Sequence, residues 1–354
     1  MRSKPSPSSV RLFDRLRDVL PGVLLCIAIT IVATALQAIE VYVAGQAYLE
    51  ALVLALLLGV ALRSAWKPGP RWDAGVRFSA KPLLELAIVM LGASVSVTTI
   101  FALGPLLIFG IAGIVAVAIG TSYAICRALG LPLRLAILVA CGNSICGNSA
   151  IAAIAPVIGA DGDDIASSIS FTAVLGVLVV LGLPFLVPVL HLSLTQYGVL
   201  AGLTVYAVPQ VLAATLPIGA LSNQVGTVIK LVRVLMLGPV VLGISLFARH
   251  LRAGASRERT GGSRPPLHEL VPWFIIGFLL VLTIRSFGLI PPAFLPPITA
   301  AAAMLTTLAM AALGLGVDVR VVARAGARVT AAVTLSLIVL AAMSYALIRL
   351  AALP

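Results

Sequence analysis

Cys141-Gly142-Asn143-Ser144 is followed, five residues on, by Cys146-Gly147-Asn148-Ser149. Glycine, asparagine and serine are weak helix formers, and here six of them gather inside an apolar stretch. Leu131 to Ala140 and Ala150 to Gly159 read as helix on either side. The pattern predicts a helix broken within residues 141–149. A break exposes main-chain N–H groups and a positive helix end, and amide and hydroxyl side chains beside it can donate to a solute. The plainer alternative is a small-residue face for close helix packing. Alanine or glycine would serve packing at lower desolvation cost than paired asparagines. Cys141 and Cys146 are five apart, a spacing of neither a zinc pair nor a redox Cys-x-x-Cys. His191, His250 and His268 lie near span ends or in loops. No metal and no cofactor is expected. Ser144 or Cys146 could act as a nucleophile, but no His or Asp lies at the same depth as a base, so the chain is not expected to be an enzyme.

Two further segments bring polar groups into apolar surroundings. In Thr204-Val205-Tyr206-Ala207-Val208-Pro209-Gln210 the proline removes a main-chain donor and predicts a kink or break. Thr204, Tyr206 and Gln210 would then form a second irregular wall, unless the glutamine is simply packed. Downstream, Asn223, Gln224, Lys230 and Arg233 interrupt another apolar run. Lys230 and Arg233 are three apart and share a helix face. Each cation at mid-bilayer costs about 2.5–3.5 kcal/mol on the insertion scale, and the two repel. Something negative is expected beside them. Glu50 and Glu85 are the acidic candidates inside spans, and an anionic solute is the other. The candidate solute-binding residues are therefore Cys141, Gly142, Asn143, Ser144, Cys146, Gly147, Asn148, Ser149, Thr204, Tyr206, Gln210, Lys230 and Arg233.

The elements that hold these residues follow from composition. Of 354 residues, 61% are hydrophobic and 10% charged, where soluble chains carry about 25% charged. The bilayer must be the solvent, so the main chain must satisfy itself in helices or a closed barrel. Apolar runs near 20 residues select helices. Eleven spans are read at about 20–39, 46–65, 82–99, 105–128, 132–158, 165–189, 197–215, 219–248, 271–289, 296–316 and 329–352. Residues 1–19 form a cytoplasmic N-terminal arm, 20–354 a single membrane transporter domain, and 249–270 a cytoplasmic loop. With the N-terminus inside, twenty of the 24 Lys and Arg residues fall in inside segments, as the positive-inside rule requires. This topology puts the turn with Asp161, Asp163 and Asp164 outside. It also explains the net charge of +12 without nucleic acid. The four cysteines suggest no disulfide framework.

Leu91-Gly92-Ala93-Ser94-Val95-Ser96-Val97 echoes Leu313-Gly314-Leu315-Gly316-Val317-Asp318-Val319. The same offset of 222 pairs Gly104 with Gly326 and Ser122-Tyr123-Ala124 with Ser344-Tyr345-Ala346. The copies lie an odd number of spans apart, so they would insert in opposite orientations, as inverted repeats do in transporters. The fold expected is all-α, polytopic, with about 11 transmembrane helices and an inverted-repeat transporter fold with broken helices. No clear Asp pair marks the spans, which favours an anionic or zwitterionic solute over a cation.

The segments Cys141–Ser149, Ala150–Ile158, Pro209-Gln210-Val211-Leu212-Ala213-Ala214 and Val228-Ile229-Lys230-Leu231-Val232-Arg233-Val234-Leu235 resemble the bacterial inner-membrane family labelled sulfate exporters. The Leu-Gly segments at Leu91 and Leu313 match its pattern too, so the resemblance spans roughly residues 80–330. That family is similar to the sodium/bile-acid symporters and sodium/proton antiporters, whose two broken helices cross at the substrate. One departure is Tyr206-Ala207-Val208-Pro209-Gln210, where many members show a His-Asp type of element before the Gln. The resemblance implies a secondary transporter exporting a small anion, sulfate or an organic sulfonate, by alternating access, in a bacterial inner membrane with the N-terminus cytoplasmic. The alternatives are a sodium- or proton-coupled carrier of a neutral or cationic solute, and a regulatory membrane protein. The partners expected are the small anion and membrane lipid, with a homodimer as one option.

Overall fold

A computed structural model describes residues 7–44, 49–66, 69–93, 104–252, 273–317 and 327–351. The loop expected over 249–270 and the repeat residues 94–97, 318–319 and Gly326 lie wholly or mostly outside them. Every described element is helical. In chain order these are α1 (Pro7–Ala44), α2 (Ala51–Ala65), α3 (Pro70–Phe78), a π turn (Ser79–Leu83) and α4 (Leu84–Leu91). Then come α5 (Gly104–Ala128), α6 (Leu133–Ser144), α7 (Asn148–Ile158), α8 (Gly162–Gly182) and, after a 3-10 turn, α9 (Leu186–Leu190). The remainder are α10 (Leu194–Thr204), α11 (Val208–Thr215), α12 (Ala220–Leu235), α13 (Leu237–Arg252), α14 (Trp273–Ser286), α15 (Leu295–Leu315) and α16 (Ala327–Leu350). Six described stretches are long and apolar enough to cross a membrane: Arg17–Val43, Phe109–Ala128, Gly162–Leu190, Ala220–Leu246, Pro292–Leu315 and Ala327–Leu350. The expected arm over 1–19 is helical from Pro7, since a proline is tolerated in the first helical turn.

The chain divides into two compact units, residues 1–91 with 292–318, and residues 92–291 with 319–354. In the first unit α2 and α15 pack closely through Gly59 and Gly314. A Cβ on Gly59 would lie 2.6 Å from the Ala311 carbonyl, and one on Gly314 2.3 Å from that of Leu56. Close small-residue packing of this kind is the principal adhesive between helices in lipid.

The second unit carries the polar motifs. Its α5 and α16 run antiparallel: Gly110 faces Leu347 at one end, and Cys126 clusters with Ala332 and Val333 near the other. That second end, the arginine end, holds Arg127, Arg134 and the start of α16 with Arg328.

Two of the eleven expected spans reverse direction instead of running straight through. Residues 133–158 and 194–215 are helical hairpins. Arg134, at the start of α6, acts electrostatically on Asp164, at the start of α8. Had α6 and α7 formed one 26-residue span, those charges would lie about 35–40 Å apart at 1.5 Å per residue. Instead α7 turns back, so that Gly142 faces Ile151, and packs against α13. Gly162–Leu190 then carries the chain to the opposite end. From there α10 enters and α11 returns, because the Tyr197 hydroxyl donates to the Ala214 carbonyl at 2.7 Å. A straight continuation would separate those residues by about 25 Å. Next, α12 enters parallel to α10: Ser222 Oγ donates to the Leu194 carbonyl at 2.7 Å, and Gly202 faces Gly226 and Ile229.

The Asp161–Asp164 turn is therefore at the arginine end, not opposite it. Charge parity could not reveal this, because no Lys or Arg lies between Arg134 and Lys230. Replacing two crossings by two hairpins inverts only the segment between them and leaves every basic residue on its original side.

Candidate solute-binding site

Each hairpin leg is 8 to 12 residues long, or about 12–18 Å. That is about half the roughly 30 Å hydrocarbon thickness, so legs starting at the membrane surface would bring both apices near mid-membrane. The first apex is non-helical, as the tandem motif predicts. Ile145 has φ −117° and ψ −85°, and Gly147 has φ +65° and ψ −122°. The Gly147 N–H reaches back to the Gly142 carbonyl at 2.8 Å. Gly147 occupies a left-handed conformation that a Cβ would strain, and its hydrogen already faces Tyr206. At the second apex Val205 and Ala207 are extended, and Pro209 falls in the first turn of α11. The proline thus starts the returning leg rather than kinking a span, and Gln210 Oε1 accepts from the Ala207 N–H at 3.2 Å.

The apices are tied directly. Tyr206 donates its hydroxyl to Asn143 Oδ1 at 2.9 Å, and Asn143 Nδ2 donates to the Val333 carbonyl of α16 at 3.3 Å. The larger tie comes from α12. Lys230 Nζ donates to the Ile145 and Val205 carbonyls, both at 2.8 Å. Arg233 Nε donates to the Ser144 carbonyl at 2.7 Å, Nη1 to that of Val205 at 3.3 Å, and Nη2 to that of Asn143. Lys230 is 0% exposed and Arg233 1%. Their acceptors are thus main-chain carbonyls at the C-terminal ends of the two entering legs, the negative ends of both helix dipoles. Glu50, expected as a partner, accepts instead from Gln37 Nε2 at 3.2 Å within the first unit.

Four helix ends meet the apices. The C-terminal ends of α6 and α10 each carry about −0.5 charge and the N-terminal ends of α7 and α11 about +0.5. These cancel, leaving the two side-chain cations. The described carboxylates of this unit are Asp161, Asp163 and Asp164, at the arginine end.

The remaining predicted residues divide. Cys141, Asn143 and Ser144 are buried, as are Cys146, Thr204, Tyr206 and Gln210. Thr204 Oγ1 turns back onto the Leu200 carbonyl at 2.6 Å and serves its own helix. Gln210 lies against Gly176, where a Cβ would come within 2.5 Å of its Nε2. Asn148 and Ser149, in the first turn of α7, are exposed. Sequence reasoning missed Thr172 of α8, whose Oγ1 donates to Asn148 Oδ1 at 2.7 Å. Its signal was Ser168 and Thr172 one turn apart in an apolar span. The hydroxyls of Ser144 and Ser168 are buried without a partner. Among the described residues no group of three His, Cys, Asp or Glu could hold a metal ion.

A family model described as conserved hypothetical protein 698 matches residues 21–333. The chain belongs to that family. It is 58% identical over 336 residues to a UPF0324 membrane protein of Bradyrhizobium diazoefficiens, covering 95% of this chain and 94% of the relative. It is likewise 58% identical to a UPF0324 membrane protein of Brucella melitensis, covering 96% and 92%. A Bacillus cereus UPF0324 membrane protein is 33% identical over 84% of this chain and 86% of its own length. No solved structure matches. These relatives and the apolar helices make it a multi-pass membrane protein.

Proposed function

We propose that this protein is a secondary transporter of a small anion across a bacterial inner membrane, exporting sulfate or an organic sulfonate by alternating access. The observation that carries the reading is the pair of fully buried cations at the meeting point of two re-entrant hairpins, bonded to carbonyls rather than carboxylates. With the helix-end charges cancelling, about two positive charges remain for a ligand to balance. Irregular backbone at membrane depth is tolerated only where protein or a water-filled cavity surrounds it. A carrier of cations would need a carboxylate at the same depth, and the described acids of this unit lie at its arginine end.

An inverted repeat fits the same reading. Helices α5 and α16 begin 223 residues apart and pack antiparallel. The offset of 222 also relates the first residues of α2 and α14, and Arg63-Ser64 to Arg285-Ser286. Repeats related in this way would let one face of the membrane exchange roles with the other. The test is counterflow of radiolabelled sulfate into proteoliposomes holding purified protein and preloaded with sulfate or methanesulfonate. Flux above protein-free vesicles is expected. If well-folded protein in sealed vesicles moves neither anion, the sulfate and sulfonate assignment fails.

A further inference from the structure

We infer that the solute's direct contacts are made by the first turn of α7, at Asn148 and Ser149, and that Lys230 and Arg233 position the apices without touching it. This rests on the anion-transport reading and assigns roles within that site. The two cations are buried and directed onto carbonyls of both hairpins. Among residues 141–149 and 203–210, Asn148 and Ser149 are the exposed ones. Between them they offer what an oxyanion needs. The first N–H groups of a helix lack intrahelical acceptors and carry its positive end. The α7 terminus has no side-chain cap. Because Thr172 donates to Asn148 Oδ1, the amide Nδ2 of Asn148 is the part left to donate. At the same apex Ser144, 1% exposed, keeps a hydroxyl with no partner.

The exposed face of α7 also differs from a lipid face. It carries Asn148, Ser149, Ala152 and Pro156. Other exposed surfaces of this unit carry Phe109, Leu178, Phe185, Leu246, Leu280 and Ile338. A small and polar strip descending from the arginine end to mid-membrane is a path for a hydrated ion, since hydrocarbon would gain no large apolar partner there. The ligand class is a small oxyanion, bound by N–H, amide and hydroxyl donors in the field of two cations behind them.

The test uses thiol reagents as probes, so the natural solute need not be known. Full-length protein with Ser149→Cys is labelled with a sulfonate-bearing and a quaternary-ammonium methanethiosulfonate, and unsubstituted protein, whose four cysteines are all buried, gives the background. His191→Cys, at an exposed turn, is the reference. The anionic-to-cationic rate ratio at Ser149→Cys should exceed the reference by about tenfold or more, the low end of electrostatic focusing in a cleft. Adding Lys230→Gln should lower that ratio while leaving Ser149→Cys accessible. Ala152→Cys should label as well, and Ile151→Cys should not. Failure of both Ser149→Cys and Ala152→Cys to label in folded protein, or a ratio at or below the reference, overturns the inference. Anion-selective labelling without sulfate counterflow would leave this site standing and defeat the sulfate assignment. Counterflow without labelling at either position would do the reverse.

Discussion

Replacing Arg233 by lysine keeps the charge and removes the geometry, so it separates two roles that a neutral substitution would confuse. Arg233 directs three donors onto three carbonyls, those of Ser144, Val205 and Asn143. A lysine at this position has one nitrogen on a flexible stem and cannot reproduce the fork. Val205 would keep the bond from Lys230, so that carbonyl is not orphaned. A single ammonium can serve one or both of the Asn143 and Ser144 carbonyls, as Lys230 serves two, but without a fixed fork to hold it there. The net loss is then one or two charge-assisted bonds, each worth about 1.5–3 kcal/mol. Relaxation of the apex recovers part, which leaves a destabilisation of about 2–3 kcal/mol for Arg233→Lys. Reversible unfolding in mixed micelles, followed by tryptophan fluorescence and compared at equal lipid content, would measure it. If the cations mattered only for their field, Arg233→Lys would be neutral. A change below about 0.5 kcal/mol, the usual size for a surface substitution, would refute the clasp.

Tyr206→Phe should cost about 1–3 kcal/mol, because Asn143 Oδ1 is left buried without its donor. A double-mutant cycle with Asn143→Ala should show that the two losses are not additive, and additivity would deny the bond between the apices. Cysteines at Gly130, Asp161 and His191 report the hairpins: impermeant labelling should place 130 and 161 on one side of the membrane and 191 on the other, where a through-span would separate 130 from 161. Gly147→Ala should destabilise by about 1–3 kcal/mol through its positive φ, and a wild-type unfolding midpoint would contradict the apex conformation.

The all-helical class, the position of the first break and the shared face of Lys230 and Arg233 could be read from the sequence because each is local. Glycine, asparagine and serine at 141–149 disfavour helix regardless of what lies around them. The return of α7 toward the arginine end is not local. Eleven residues of α7 have the same apolar composition whether they continue or reverse, and the 95 residues between Arg134 and Lys230 contain no basic residue to report a side. The clasp was hidden for a different reason. Pattern reasoning seeks carboxylates for buried cations, because carboxylates are visible as residue types. Main-chain carbonyls belong to every residue and become acceptors only where a helix stops. Thr172 was missed similarly: like Thr204 it lies within reach of its own preceding turn, at the Ile169 and Ser168 carbonyls, and only the fold brings Asn148 Oδ1 beside it as well.

The two costs at mid-membrane explain one another. A re-entrant hairpin must end one helix inside the hydrocarbon, where water cannot satisfy its last carbonyls. Each unsatisfied group there costs several kcal/mol. A lone cation at that depth is also penalised. Setting Lys230 and Arg233 one helical turn apart on α12, parallel to α10, offsets both penalties with five hydrogen bonds. Had the donors been neutral amides, the carbonyls would be equally satisfied and the site would carry no net charge. Lysine and arginine satisfy the same carbonyls and leave a positive field, while at the start of α7 the Ala150 and Ile151 N–H groups bond the Gly147 carbonyl and those of Asn148 and Ser149 precede the first intrahelical bond. Charged donors suit the negative ends of α6 and α10 better than neutral ones, and the anion proposed at the apex would in turn balance their charge.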